Sequence, residues 1–154
     1  MKISDYLTKE MIFTGAKAED KADALQVMLD QATGQGVIEQ DRKAALLGKL
    51  MDREKMGSTG VGGGVAIPHA SGENIERMMI AIGQFPDGVE FGAIDANPVK
   101  LIFMIIGPER DPRAHLRLLA ALVRTIKNRD LLKSLMKASS PTEIYDLISI
   151  HDSR

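Results

Sequence analysis

The chain predicts an α/β domain in which one sheet is covered on both sides by helices. Three observations carry this. Two segments with helical periodicity come first, apolar runs that suit buried strands follow, and the last third returns to helical periodicity. There is no internal repeat, linker or low-complexity tract, so residues 1–154 read as a single domain.

The first helix is expected over Ala18 to Ala32, where Ala22, Leu25, Leu29 and Ala32 recur at three- and four-residue steps and Gly34 and Gly36 supply stop signals. A second is expected over Gln40 to Met56, with Ala44, Leu47, Leu50 and Met51 as its apolar stripe and Gly57 as its C-terminal cap. Residues 57–64 hold five glycines in eight positions, which predicts a loop with special backbone angles. Val65-Ala66-Ile67 follows as a short strand stopped by Pro68. Two further strands are expected at Met78 to Phe85 and at Val99 to Ile106, the latter rich in β-branched residues and buried on both faces. Asp87-Gly88 and Asn97-Pro98 mark turns. Asp111-Pro112 reads as an N-cap followed by proline at the first position of a helix ending near Lys127. Asp130 to Lys137 is a shorter helix, and Ser140-Pro141-Thr142-Glu143 opens a last one with Ile144, Leu147 and Ile148 on its apolar face.

Composition narrows the function classes. The chain is 44% apolar and 27% charged, ordinary values for a globular protein. A net charge of −1 argues against general nucleic-acid binding, and the absence of cysteine excludes disulfides and thiolate metal sites. The longest apolar run, 99–107, is about half of the roughly 20 residues that a membrane helix needs. Met1-Lys2-Ile3-Ser4-Asp5 lacks the apolar core of a signal peptide, so a cytoplasmic protein without membrane insertion is expected.

The segment from Arg53 to His69 is the informative one. It is neither a P-loop nor a dinucleotide fingerprint, because Gly63-Gly64 stand where Lys-Ser/Thr would be and a strand follows where a helix should. Its composition still suits an anion. Glycines such as Gly60 and Gly62 let backbone N–H groups converge on an oxygen, Ser58 and Thr59 bring hydroxyls, and Arg53 brings a permanent charge. His69 follows on a rigid X-Pro step, and a neutral imidazole is nucleophilic enough at pH 7 to attack phosphorus. The bland reading is a plain connecting loop and a structural histidine. His115 lies in the first turn of the helix after Asp111 and shares a stripe with Leu119, Leu122 and Ile126. The helix N-terminus favours its neutral form and welcomes a nearby anion. His151, close to the end, is given no role, and the three histidines do not match a zinc signature, so no metal is expected.

These residues resemble the enzyme IIA domains of the mannitol/fructose class of the bacterial phosphotransferase system, in particular the nitrogen-regulatory branch. The likeness rests on Arg53 to His69, on Phe91-Gly92-Ala93-Ile94-Asp95-Ala96-Asn97-Pro98-Val99, and on His115-Leu116 with Leu119. Two departures stand out: Gly63 where the family commonly has Asn, and Ala70 after the histidine where Gly is usual and where a narrower turn is expected. The resemblance implies a mixed sheet flanked by helices. It implies that His69 accepts phosphate from a small HPr-type histidine phosphocarrier, supported by His115 and Arg53 with Ser58 and Thr59 nearby. In-line attack is expected through Nε2, with no cofactor and an apolar rim where the donor docks. Downstream, two roles separate: a regulator whose phosphorylation state changes binding to target proteins, or a sugar-specific IIA subunit passing phosphate to a IIB protein. A non-catalytic binding module with a merely structural glycine loop is the third reading.

Overall fold

Both faces of one mixed sheet are buried, and two strands account for this. The computed structural model describes residues 1–153. Its elements are β1 (Ile12–Phe13), α1 (Lys21–Gly34), α2 (Lys43–Lys55), β2 (Gly60–Gly62), β3 (Val65–Ala66), β4 (His69–Gly72), β5 (Met79–Val89), β6 (Val99–Pro108), α3 (Pro112–Ile126), α4 (Arg129–Lys137) and α5 (Pro141–Asp152). The order across the sheet is β1-β5-β6-β3-β2, with β4 also paired to β6. β5 and β6 run antiparallel, whereas β3 and β4 lie parallel to β6.

Side chains alternate across a strand, and the sheet uses the alternation strictly. Leu101, Phe103 and Ile105 of β6 enter one core with α3, α4 and α5, while Ile102, Met104 and Ile106 enter the other with α1 and α2. The β-branched run therefore serves two cores at once, as a strand buried on both faces must. Gln84 is the polar exception on β5. Its Nε2 donates to the carbonyls of Leu135, Met136 and Ala138, so a buried amide serves carbonyls left open at the end of α4.

The expected helices form with shifted boundaries. Residues 18–20 stay outside α1, and Asp20 caps it by accepting from Asp23 N. Ala22 and Ala44, expected on the apolar stripes, are exposed; Ala24, Met28 and Leu46 take the core positions. α2 begins at Lys43, after a 3-10 turn over Gln40–Arg42. The N-caps Asp111 and Ser140 form as expected, accepting from Ala114 N and Glu143 N.

The strands depart further from expectation. β5 runs past Phe85 to Val89, so Asp87-Gly88 lies in an irregular stretch of strand with Gly88 at φ +82, not in a separating turn. The glycine segment is not wholly loop, because Gly60–Gly62 pairs with Val65–Ala66 as a tight hairpin. Close approach explains Gly60: a Cβ there would lie 2.8 Å from Ala93 Cβ. His69 follows β3, with only Ile67 and Pro68 between, and itself opens β4; Ala70 is a buried strand residue, so no turn is narrowed there. β1, β2 and β4 are too short to announce themselves by periodicity.

Candidate active site

Strand parity places the first histidine. His69 pairs in register with Ile105, so it shares the sheet face of Val65 and Ile67, the face that α3 covers. β6 ends at Pro108, and α3 starts four residues later and runs back over that face. Its first turn therefore brings His115 above the end of β4. The two imidazole centroids lie 5.5 Å apart with their planes tilted by 58°. Gly107, beneath this pair, leaves room for Met78: a Cβ there would stand 2.1 Å from Met78 Sδ, but only in ordinary contact with His115 Nδ1 at 3.6 Å.

His69 Nδ1 lies 2.9 Å from the Ile67 carbonyl oxygen. A carbonyl only accepts, so Nδ1 carries the proton and Nε2 keeps its lone pair. Both histidines line a cleft of about 290 Å3 with Ser71, Glu109, Pro112 and Leu116. Burial, and then the neighbouring His69, hold the His115 imidazole below the usual histidine range. A neutral His115 still keeps one ring N–H with which to donate to an anion beside His69. Leu116, 66% exposed, and the exposed Pro112 give this cleft an apolar edge.

The other expected site residues are placed differently. Arg53 sits in the last turn of α2, where Nη1 donates to the Gly57 carbonyl at 2.8 Å, using one of its five N–H donors. Ser58 and Thr59 are not free donors. Ser58 Oγ donates to Phe91 O at 2.6 Å and accepts from Gly60 N, while Thr59 Oγ1 donates to Glu54 Oε2 at 2.6 Å. The N–H of Gly63 goes to Asp95 Oδ2 at 3.1 Å. In this structure these hydroxyls and amides already hold partners in the loop and its neighbours. Gly62 lines a larger cavity of about 630 Å3 with Ile94, Asp95, Val123 and Arg129, apart from the histidine cleft. Gly63 has φ +68, the left-handed backbone that Asn would also tolerate. Bonds from Asn97 and then Gly63 hold the Asp95 carboxyl below its usual range.

Lys49 and Glu109 beside the cleft had no motif to announce them, and Glu54, inside the Arg53–His69 segment, carries no expected role. Lys49 of α2 donates to Ser71 O at 3.0 Å and pairs with Glu109 at the cleft wall. It lies four residues before Arg53, hence on the same helix face, which is a readable signal. Glu54 is buried, and its side chain meets Lys21 and Thr59. Among the described residues no three His, Cys, Asp or Glu side chains come together as a metal site, and no helix is long and apolar enough to cross a membrane.

Residues 5–150 match the model of the family described as "Phosphoenolpyruvate-dependent sugar phosphotransferase system, EIIA 2". Among curated relatives, the fructose-specific EIIA component of Haloferax volcanii is 34% identical over 147 residues, 96% of this chain and 94% of that protein. The nitrogen regulatory protein of Bradyrhizobium diazoefficiens is 31% identical over 153 residues, 97% of this chain and 96% of that one. The fructose-specific EIIABC component of Bacillus subtilis is 34% identical across 99% of this chain, which spans only 24% of that longer protein. Among solved structures, the nitrogen regulatory protein IIA-Ntr of Neisseria meningitidis superposes with a TM-score of 0.84 at 29% identity, covering 95% of this chain and 98% of that one. Mannitol IIA of Escherichia coli shares the fold, with a TM-score of 0.75 at 24% identity over 92% of this chain and 97% of its own.

Proposed function

Because the chain belongs to the EIIA 2 family of the phosphoenolpyruvate-dependent sugar phosphotransferase system, we propose that its phosphoryl group is carried on Nε2 of His69. Phosphoryl transfer is the family's chemistry; the histidine is our assignment. The observation that carries it is the Nδ1–H to Ile67 carbonyl bond, which leaves Nε2 as the free lone pair in the cleft shared with His115.

The donor is an HPr-type phosphocarrier bearing a phosphohistidine. His69 Nε2 attacks phosphorus in line, the Nε2–P bond forms and the donor's N–P bond breaks, and the donor ring departs with its electron pair. His69 keeps its Nδ1 proton, so no proton changes hands, and the Nδ1–H to carbonyl bond becomes charge-assisted as the ring gains positive character. His115 donates to a phosphoryl oxygen from its own ring N–H, and Arg53 adds positive charge at the mouth of the loop. No metal or cofactor enters this reaction scheme.

Downstream, we read the protein as a regulator whose phosphorylation state controls partner binding, and in this reading it works in the cytoplasm. The likeness to IIA-Ntr supports the regulatory role. The similar identity to a free-standing fructose EIIA component supports a second reading, in which a IIB protein receives the phosphate. Intact mass after mixing with phosphoenolpyruvate, enzyme I and an HPr-type carrier tests the nucleophile. One acid-labile phosphoryl group is expected on the wild type and on His115→Ala, the latter formed about 100-fold more slowly, and none on His69→Ala. No gain on the wild type, with a carrier active on another acceptor, overturns the assignment. Stoichiometric loss of the label to a fructose-type IIB protein selects the second role.

A further inference from the structure

Glu54 is a buried carboxylate whose position the reaction does not by itself require. Its side chain is 2% exposed, and an uncompensated charge at that depth is costly. Here both oxygens are matched. Oε1 accepts from Thr59 N at 3.0 Å and meets Lys21 Nζ at 3.1 Å, while Oε2 accepts from the Thr59 hydroxyl at 2.6 Å. Lys21 is the first residue of α1, and its ammonium also lies 5.0 Å above the centre of the Phe91 ring. The head of the glycine segment is thus bound to α1 and α2 through one carboxylate.

Thr59 passes the constraint on. Its carbonyl accepts from Ile67 N at 3.0 Å, and the Ile67 carbonyl in turn holds His69 Nδ1 at 2.9 Å. A continuous path of hydrogen bonds therefore joins Glu54 to the ring of His69 across residues fifteen apart in sequence. The path has a mechanical reason. Gly57, Gly62, Gly63 and Gly64 all adopt positive φ, and a segment so rich in glycine is soft unless something over-determines it. The carbonyl that sets the tautomer of His69 is only as well aimed as the segment it is bonded to.

We propose that Glu54 is a positioning residue for His69, acting through Thr59 and the Ile67 carbonyl to hold the ring as its Nδ1–H tautomer with Nε2 free. This rests on the reading of His69 as nucleophile. The relay matters most once Nε2 carries phosphate, because the Nδ1–H bond is then charge-assisted and its acceptor must not drift.

The test uses the full chain with Glu54→Gln, Thr59→Val and Thr59→Ser. Ring 15N spectra of the unphosphorylated protein report the tautomer directly. The wild type and Thr59→Ser are expected to show His69 as the Nδ1–H form alone, and Glu54→Gln and Thr59→Val a mixture of tautomers. In transfer from the phosphorylated carrier, Glu54→Gln and Thr59→Val should lose about 10- to 100-fold in kcat with the KM for the carrier changed less than twofold, and Thr59→Ser should restore the rate. Should Glu54→Gln fail to fold, the Val/Ser pair at Thr59 decides alone. A folded Thr59→Val that keeps the single tautomer and the wild-type kcat overturns the proposal, as does a variant that loses only thermal stability. If the wild type takes no phosphate, the phosphocarrier reading falls while the ring spectra still judge the relay.

Discussion

His115 shows how a residue's surroundings set its chemistry. Burial and then its histidine neighbour depress its basicity relative to the ordinary value of 6.5. The unfolded chain therefore binds a proton at His115 near 6.5, whereas the folded protein binds one only at lower pH. Stability from this group is complete above 6.5 and is lost as pH falls from there through the folded-state value. Urea denaturation of the wild type should accordingly show stability declining below pH 6.5, and His115→Gln should flatten that decline. A variant with the same slope as the wild type would remove His115 as its source. His69 and His115 were both readable from the chain as candidates. What the sequence did not contain was their 5.5 Å separation, which needs β4 and the start of α3 to meet.

At the scale of elements, the caps are local and were legible. Asp111 is followed by proline at the first helical position, and its carboxylate does accept from Ala114 N at 3.1 Å. Asp111→Ala should cost about 1 kcal/mol, a fall in Tm of roughly 2–4 °C for a domain of this size, read by calorimetry. Because α3 carries His115 in its first turn, the same variant should also slow phosphorylation of His69 without shifting its site. Short strands were not legible. β4 has four residues, and its identity comes from pairing with β6, where each partner lies 36 residues away. The glycine segment was legible as unusual backbone but not as a braced hairpin. Two of its braces, Phe91 and Asp95, come from more than thirty residues away, and the third, Glu54, from the end of α2 just before it.

Across the whole molecule, stability rests on the two cores that share one sheet. Phe103 lies fully buried between β6 and the α3–α5 layer. Phe103→Ala should cost about 3–5 kcal/mol, a large part of the 5–15 kcal/mol typical of a folded domain. The exposed Lys43–Asp30 pair at 2.5 Å should contribute no more than about 1 kcal/mol, measured as the loss in Lys43→Met. Chemical denaturation of the two variants side by side gives the ratio, and a Lys43→Met cost equal to that of Phe103→Ala would refute the ranking.

The order of helices and strands, the caps and the two candidate histidines all follow from contiguous residues, because periodicity, capping and turn chemistry act over a few positions. The doubly buried β6 belongs to this group, since its apolar content needs no partner to be recognised. The tertiary structure alone decided which hydroxyls and amides of the glycine segment are already spent. It also decided that His69 stands on the α3 face, that Gly107 leaves Met78 room beneath the histidine pair, and that hydrogen bonds through Thr59 and Ile67 link a carboxylate on α2 to the ring of His69. Each of these depends on groups brought together from separate stretches of chain, at distances that only the packed sheet and helices define.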